Sequence, residues 1–565
     1  MSDYFDLGSF TREVTTSSQE AQVWFTRGLV WTYSFNHEEA AACFERAIAS
    51  DPGCALAYWG LAYALGPNYN KPWESFDPAD LSSSLSRAYA ATAEAVSRAP
   101  GASDVERALV DALVSRYPSA APTGDWSAWN AAYAAAMRHV YRAYPDDLDV
   151  AALFAEALMN LTPWALWDLA TGAPAAGSEA IEIKEVLERA LTTDDGRTHP
   201  GVLHMYIHLM EMSAHPEDAL QVGDWLRDLV PDAGHLRHMP THIDVLCGDY
   251  PRVVSANTAA IAVDEKFRAR EGAMNFYTLY RVHNYHFKIY GAMFLGQAQT
   301  ALETADRLAA AIPEDLLRVE VPPMADWLEG FTAMKVHAAI RFGRWPDIID
   351  APLPADPGLY CVSTAMMRYA KGVACAASGR IGEAEEHRGQ FAAAVERVPE
   401  SRTIFNNTCQ DILAVAGAML DGELEYRQGH HETAFAGLRR AVELDDGLPY
   451  DEPWAWMQPA RHAYGALLLE QDRVAEAEAV YRADLGLDGT LARACQHPGN
   501  VWSLHGYHEC LRRLGKDEQA GIIGQQLTIA RAYADVPIRS SCYCRLAPAP
   551  GPDGPGRVGG AVQAC

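Results

Sequence analysis

Histidines are concentrated in one stretch of the sequence, residues 199–242, which holds seven of the nineteen in the chain. Within it, His204, His208 and Glu211 are spaced four and three residues apart. Because a helix turns by about 100° per residue, this spacing places the three side chains on one face. The stretch therefore predicts a helix that presents two imidazoles and a carboxylate in the same direction.

A second group of histidines follows after a turn that contains proline and glycine. His235, His238 and His242 lie close together, and Pro240 stands where a new helix is expected to begin. Neutral imidazole is the commonest protein ligand for transition metals, and helical proteins build such sites from histidines on neighbouring helices. The alternative is that these histidines fill core or capping positions. We predict a divalent transition metal (Zn, Fe, Mn or Cu) bound by His204, His208, His238 and His242.

Further acidic, imidazole and tryptophan side chains occur in small groups elsewhere. Glu156 and Asn160 are four residues apart and share a helix face, while His283 and His286 are three apart. For each group the alternative role is a hydrogen-bonded or packing contact between helices. The residues predicted to act in catalysis, or as further ligands and their supports, are Glu156, Glu211, His286, Arg461 and His462. The residues predicted to line a substrate or partner groove are Asn160, Trp164, Trp167, His283, Asp451, Glu452, Trp454, His505 and His508.

The elements that carry these residues are predicted to be helices throughout. Alanine-rich stretches with apolar residues three and four apart run almost from end to end, and strand patterns are nearly absent. The 34-residue tetratricopeptide (TPR) pattern fits the N-terminal stretch at Trp24, Gly28, Trp31, Ala40, Phe44, Ala47 and Pro52. The same register returns around Gly372, Gly422 and Gly465. We predict an all-α TPR-type helix-turn-helix solenoid, a right-handed superhelix with a concave groove and no sheet, from about residue 18 to about residue 535.

Weak boundaries within this solenoid are expected at 100–127 and 349–358, where proline, glycine and small polar residues accumulate. No separately folding domain is required, since repeats of this kind bury their apolar faces by stacking. The predicted segments are N-terminal TPR repeats (1–120), central helical repeats with the His/Glu-rich site (121–348), C-terminal TPR repeats (349–545) and a disordered Pro/Gly tail (546–565).

The chain is strongly acidic. It has 46 Lys and Arg against 74 Asp and Glu, a formal net charge of −28, which repels both phosphate backbones and anionic lipid. No apolar run approaches the ~20 residues of a membrane helix, and the N-terminus lacks the basic start and apolar core of a secretion signal. We therefore predict a cytoplasmic protein that binds neither nucleic acid nor membrane.

The eleven cysteines show no spacing that is typical of a disulfide framework. Cys542 and Cys544 form a C-x-C pair, which can bind a soft metal or form a redox couple. Two ordinary thiols are the simpler interpretation of such a pair. We expect both to be reduced and partly accessible.

Several segments are far richer in histidine, acid and tryptophan than a generic TPR repeat. They include PDDLDVAALFAEALMNLTPWALWD, HPGVLHMYIHLMEMSAHPEDAL, PDAGHLRHMPTHIDVLCGDY, VHNYHF, YDEPWAWMQPARHAYGALLLEQ and NVWSLHGYHECLRRLG. On these segments nearly the whole chain resembles a family of bacterial and fungal TPR-repeat proteins of poorly defined function. The resemblance implies a TPR solenoid with a recurrent set of His, Glu and Trp positions. It implies no reaction.

Three classes of function fit these observations. They are a metal-dependent oxidoreductase or hydrolase of small-molecule metabolism, a non-catalytic TPR scaffold that binds a partner protein or peptide, and a cofactor-free small-ligand binder. A TPR groove that clamps a peptide carboxylate needs Lys, Arg and Asn, whereas the distinctive residues here are His, Glu, Asp and Trp. The sequence therefore favours a metal and a small-molecule ligand in the concave groove. It indicates no oligomeric state.

Overall fold

The computed structural model describes residues 4–546. Over this range the protein is an all-α solenoid of the TPR type, in which consecutive helices pack as antiparallel pairs. The predicted fold class is confirmed. Most of the predicted disordered tail, residues 547–565, lies outside the described residues. Within residues 4–546 every helix is too short or too polar to cross a membrane.

The first part of the solenoid is made of helices that follow each other with short connections. Side chains cap the first two of them: Ser18 accepts a hydrogen bond from Ala21 N, and Asn36 accepts one from Glu39 N. The helices up to the central region are α1 (Gln19–Tyr33), α2 (His37–Ser50), α3 (Ala55–Leu65), α4 (Pro78–Arg98), α5 (Asp104–Leu113), α6 (Trp126–Ala143), α7 (Leu148–Met159) and α8 (Ala180–Leu191).

The central region contains shorter helices. Pro200 and Pro240 each occupy the first helical position, as expected where the proline nitrogen needs no partner. The helices are α9 (Pro200–Glu211), α10 (Leu220–Leu226), α11 (Gly234–His238), α12 (Pro240–Leu246), α13 (Tyr250–Glu271), α14 (Thr278–Leu295), α15 (Ala298–Ala311), α16 (Glu314–Leu317), α17 (Met324–Leu328), α18 (Met334–Arg341) and α19 (Trp345–Asp350).

The last part of the solenoid returns to longer helix pairs. It also contains a two-residue hairpin, in which β1 (Thr403–Ile404) pairs antiparallel with β2 (Asn407–Thr408), so the prediction of no sheet is wrong at this point. The helices are α20 (Cys361–Ala377), α21 (Ile381–Val395), α22 (Cys409–Arg427), α23 (His431–Asp446), α24 (Ala460–Glu470), α25 (Val474–Asp484), α26 (Val501–Arg513) and α27 (Asp517–Arg531).

The helices of the first TPR repeat and the helix that follows pack closely because glycine occupies positions that the repeat pattern marks. The Phe44 ring of α2 lies between Gly28 of α1 and Gly60 of α3, where an added Cβ would approach the ring to 2.8 and 2.3 Å. Those contacts are closer than side-chain carbons tolerate. A small residue on each flanking helix is therefore required for the large ring between them.

The solenoid coils so tightly that helices distant in the sequence touch. Helix α1 packs on α9, and α14 packs on α26. Tyr450 Oη donates to the Glu211 carbonyl at 3.3 Å, although the two residues are 239 positions apart. This contact brings the Tyr450 segment against the end of α9, beside the central histidines.

The C-x-C segment follows α27 and packs against the same core. The structure joins Cys542 and Cys544 in a disulfide with Cα atoms 5.2 Å apart, a separation within the range that a disulfide spans. A turn at this point brings the two cysteines closer than an extended chain would. The expectation of two reduced thiols is therefore wrong.

Candidate metal centre

Six buried imidazoles converge where α9, α11, α12 and α14 meet. We call His204, His208 and His235 triad A, and His238, His242 and His283 triad B. Within each triad, one ligand atom per residue lies within 4.8 Å of the others. The four predicted ligands are thus neighbours, but they are divided between two triads instead of surrounding a single point.

Fixed acceptors hold the Nδ1 hydrogens of triad A. His204 Nδ1 lies 2.6 Å from the Tyr33 carbonyl oxygen, which can only accept. His208 Nδ1 lies 2.8 Å from Glu211 Oε1. The Nε2 atoms of both rings therefore carry lone pairs, and both are buried with no hydrogen-bond partner among the described residues. Over the same range, His235 has no partner for either ring nitrogen.

Triad B is anchored in the same way. His238 Nδ1 donates to Asn257 Oδ1 at 2.6 Å, and the Asn257 amide is oriented because its Nδ2 donates to the Val253 carbonyl. His242 Nδ1 lies 2.6 Å from Glu211 Oε2. The Nε2 atoms of these two rings therefore also carry lone pairs. His283 completes the triad, with Nε2 3.4 Å from His242 Nε2 and a buried Nδ1 that has no partner within residues 4–546.

The two anchored rings of triad B turn their Nε2 atoms toward each other. His238 Nε2 and His242 Nε2 are 2.7 Å apart. Burial lowers the pKa of His208 and His238 to about 3, and it holds the pKa of the other four imidazoles well below the usual value. All six are therefore neutral at pH 7, the form that binds metals.

Three carboxyls are buried beside the triads. Burial raises the pKa of Glu211, Asp451 and Glu452 well above the usual range. The contact between Glu211 and Glu452 further raises the pKa of Glu452 and lowers that of Glu211. The contact therefore favours Glu452 as the protonated member of the pair, and the Glu211 oxygens face the Nδ1 atoms of His208 and His242. Within residues 4–546, no lysine or arginine forms an ion pair with any of the three.

A cavity of about 380 Å³ opens onto the cluster. His235 of triad A and both His242 and His283 of triad B contribute to its wall, together with Asp451 and Glu452. The remaining wall combines aromatic side chains with polar ones, and the part described by residues 4–546 contains no lysine or arginine. The cavity has the size of a small-molecule pocket.

Three aromatic residues with left-handed backbone surround the cluster. Phe35, Trp164 and Phe405 have φ of 54°, 59° and 45°. Their rings contact His204, His208 and His283 respectively, at centroid distances of 4.5, 6.1 and 5.0 Å. Bulky residues keep this conformation only where the surroundings enforce it, and such strain concentrates at functional sites.

Several residues predicted for the site lie elsewhere in the solenoid. Glu156 accepts from Tyr63 Oη at 2.5 Å, not from an imidazole. His286 Nε2 lies 2.8 Å from Met457 Sδ, outside both triads. Arg461 pairs with Asp446, and His462 contacts both Arg341 and Asp484.

The remaining groove candidates are also divided. Trp164, His283, Asp451 and Glu452 line the cavity or complete a triad. Asn160 is buried at the end of α7, and its carbonyl accepts from Asn130 Nδ2. Trp167 Nε1 donates to the Leu209 carbonyl and Trp454 Nε1 to Asp445, as packing tryptophans do. His505 and His508 lie on α26, outside the triads, with His505 Nδ1 against Arg531.

Sequence reasoning missed other members of the site. His235 was not among the four predicted ligands, although its place in the second histidine group was a usable signal. Asn257 and Tyr33 orient imidazoles from segments that carry no distinctive pattern. Their roles depend on contacts made only in the folded chain.

A comparison with family models supports a repeat in the N-terminal part of the chain. A family model described as tetratricopeptide repeat matches residues 21–54. No curated protein matches the chain. One solved structure to which the chain is similar is that of Naa15/Naa10 bound to HypK-THB, at 12% identity and a TM-score of 0.21, covering 90% of this chain and 70% of that one. A likeness at this level supports no functional assignment.

Proposed function

We propose that this TPR solenoid binds a transition metal through its buried histidines and presents it to a small molecule in the adjoining cavity. One observation carries the proposal. The Nδ1 atoms of His204, His208, His238 and His242 each face an oxygen, which turns the four Nε2 atoms toward the centre of the cluster. The Nε2 atoms of His204 and His208 are buried without a partner within residues 4–546, and those of His238 and His242 contact only imidazoles. A core histidine without a ligand is instead expected to satisfy its second nitrogen with a donor.

The surroundings of the histidines agree with a metal site. Imidazoles whose other nitrogen donates to a carbonyl or carboxylate are typical of metal ligands, since that contact fixes the tautomer and the ring orientation. Nitrogen ligands suit Cu and Zn well, and Fe and Mn when carboxylates join them. A bound ion would supply Lewis acidity and, if it is redox-active, an electron-transfer step. We therefore favour an oxidoreductase or hydrolase of small molecules.

The cavity favours a small ligand over a peptide. His204 and His208 are fully buried, and residues of the β1–β2 hairpin and of the Asp451 segment line the cavity beside the cluster. A small molecule fits a cavity of about 380 Å³ better than an extended peptide does. The acidic and aromatic wall favours a neutral or cationic ligand with an apolar part. The alternative function, a peptide-binding scaffold, would use an outer surface of the repeats and leave the cluster without a role.

Elemental analysis of the full chain, purified without a histidine tag, tests this proposal. We expect at least one transition metal ion per chain, retained through dialysis. His204→Ala combined with His242→Ala should remove most of the metal while helicity stays near that of the parent protein. The matched control is His505→Ala with His508→Ala, a histidine pair of α26 outside the cluster, which should leave the metal content unchanged. The proposal is refuted if the parent protein binds no metal after Cu or Zn is supplied. It is also refuted if the two double variants contain equal amounts of metal.

A further inference from the structure

We propose that the cluster holds two metal ions, one on triad A and one on triad B. This inference rests on the proposed function and extends it from one ion to a dinuclear centre. Its ligand class is a pair of late first-row ions, copper or zinc, held by neutral imidazoles, with carboxylates as hydrogen-bond partners.

The geometry separates the ligands into two sets. Ligand atoms bound to one ion at about 2.0–2.1 Å cannot be more than about 4.2 Å apart. Within each triad one ligand atom per residue lies within 4.8 Å of the others, so each set needs a shift of only about half an ångström to close on one ion. A third set, His208, Glu211 and His242, meets the same limit and joins the two triads. A single ion on triad B would leave the Nε2 atoms of His204 and His208 buried without a partner within residues 4–546.

The triads have the same construction. Each has two histidines whose Nδ1 faces an oxygen and a third histidine with at least one ring nitrogen that has no partner within residues 4–546. In triad A the two other Nε2 atoms have no partner in that range, and in triad B they face each other at 2.7 Å. The third ligands, His235 and His283, both face the cavity. Each ion would therefore have two fixed ligands at the back and one at the cavity wall, which leaves a coordination position toward a bound small molecule.

Glu211 connects the triads. Its Oε1 accepts from His208 of triad A and its Oε2 from His242 of triad B. Ligand atoms of these three residues also lie within 4.8 Å of one another. The two ions would consequently be close enough to act on the same small molecule, with one carboxylate supporting a ligand of each.

The charge of the site agrees with two cations. Glu211, Asp451 and Glu452 are at most 4% exposed, and within residues 4–546 the ion-pair geometry of Glu211 and Glu452 is with neutral imidazoles alone. Burying any of these carboxyls in its charged form without a compensating cation is costly. Two metal ions beside them would supply that positive charge. The nitrogen-only donor sets exclude Mg²⁺ and Ca²⁺, which need oxygen ligands, and the stability order of divalent ions favours Cu²⁺.

Counting ions in matched variants tests the inference. The metal-stripped full chain is dialysed against Cu²⁺ in one arm and Zn²⁺ in another, and bound metal per chain is measured. We expect two ions for the parent protein, one for His235→Phe, one for His283→Phe and none for the double variant. Phenylalanine keeps the ring volume, and within residues 4–546 the His235 ring makes no hydrogen bond that the substitution would remove.

The outcomes distinguish the two proposals. One ion in the parent protein, abolished by either single variant, overturns the dinuclear inference and leaves the proposed function standing. No bound ion in the parent protein overturns both. Two ions that survive in the double variant are surface-bound and also overturn the inference. If a variant fails to fold, the number of ions bound by the parent protein and the metal–metal scattering in its X-ray absorption spectrum decide the question. A spectrum without metal–metal scattering refutes the pair of ions.

Discussion

Replacing Glu211 with glutamine should weaken one metal site far more than the other. The carboxylate accepts from His208 Nδ1 at 2.8 Å and from His242 Nδ1 at 2.6 Å. A carboxamide keeps one accepting oxygen and turns an N–H toward the second ring, which must then move its proton to Nε2. That nitrogen can no longer bind a metal.

The expected loss of metal affinity follows from the one imidazole that would be left without an acceptor for its Nδ1 hydrogen. Loss of one orienting partner costs about 10–100-fold in metal affinity, which is about 1.4–2.7 kcal/mol. Competition against a chromophoric chelator should therefore change from two tight ions to one tight and one weakened ion in Glu211→Gln. The control is Glu423→Gln, a buried glutamate of α22 paired with Arg427, which should lower the unfolding temperature and leave both affinities unchanged. Parent-like affinities in Glu211→Gln would refute the assigned tautomers.

Three further outcomes follow from the fold and its buried charges. Gly28→Leu should lower the free energy of unfolding by the ~1–3 kcal/mol of an overpacked core, because Phe44 fills that space; Gly124→Ala, with open space around it, should not. Burial lowers the pKa of His337 to about 3, whereas the histidine of the unfolded chain has a pKa of about 6.5. The unfolded chain therefore takes up a proton first, and the free energy of unfolding decreases as the pH falls below about 6.5. At about pH 5.5 this loss is about 1.4 kcal/mol relative to about pH 8, so the fall in the free energy of urea unfolding between these two pH values should be smaller by that amount in metal-free His337→Phe. Finally, a chain of net charge −28 should pass unretained through a heparin column at moderate salt, and retention would contradict the expected exclusion of nucleic acid.

Local packing rules made the fold predictable. The TPR pattern requires a small residue opposite a large ring, and Gly28 against Phe44 obeys this rule in the structure. The closure of the solenoid was not predictable, since the contact of Tyr450 with the Glu211 carbonyl joins segments 239 residues apart. Repeat periodicity specifies neighbouring helices and contains no information on such contacts.

The sequence predicted most of the histidines of the site, but not how they are divided between the two triads. Helical spacing was sufficient to place His204 beside His208. The ligand that completes each triad depends on how α11 and α14 pack, so His235 was not selected and His283 was assigned to the groove wall. Arg461 and His462 were selected for their chemistry, but buried ion pairs use the same residue types and give the same pattern in sequence.

Anomalous diffraction from crystals of the copper-loaded full chain, recorded at the copper absorption edge, tests the metal site most directly. We predict two peaks among the buried histidines, one about 2.0–2.1 Å from ring nitrogens of His204, His208 and His235, and one at the same distance from those of His238, His242 and His283. Copper found only at surface residues, with no peak inside the cluster, would contradict the central claim.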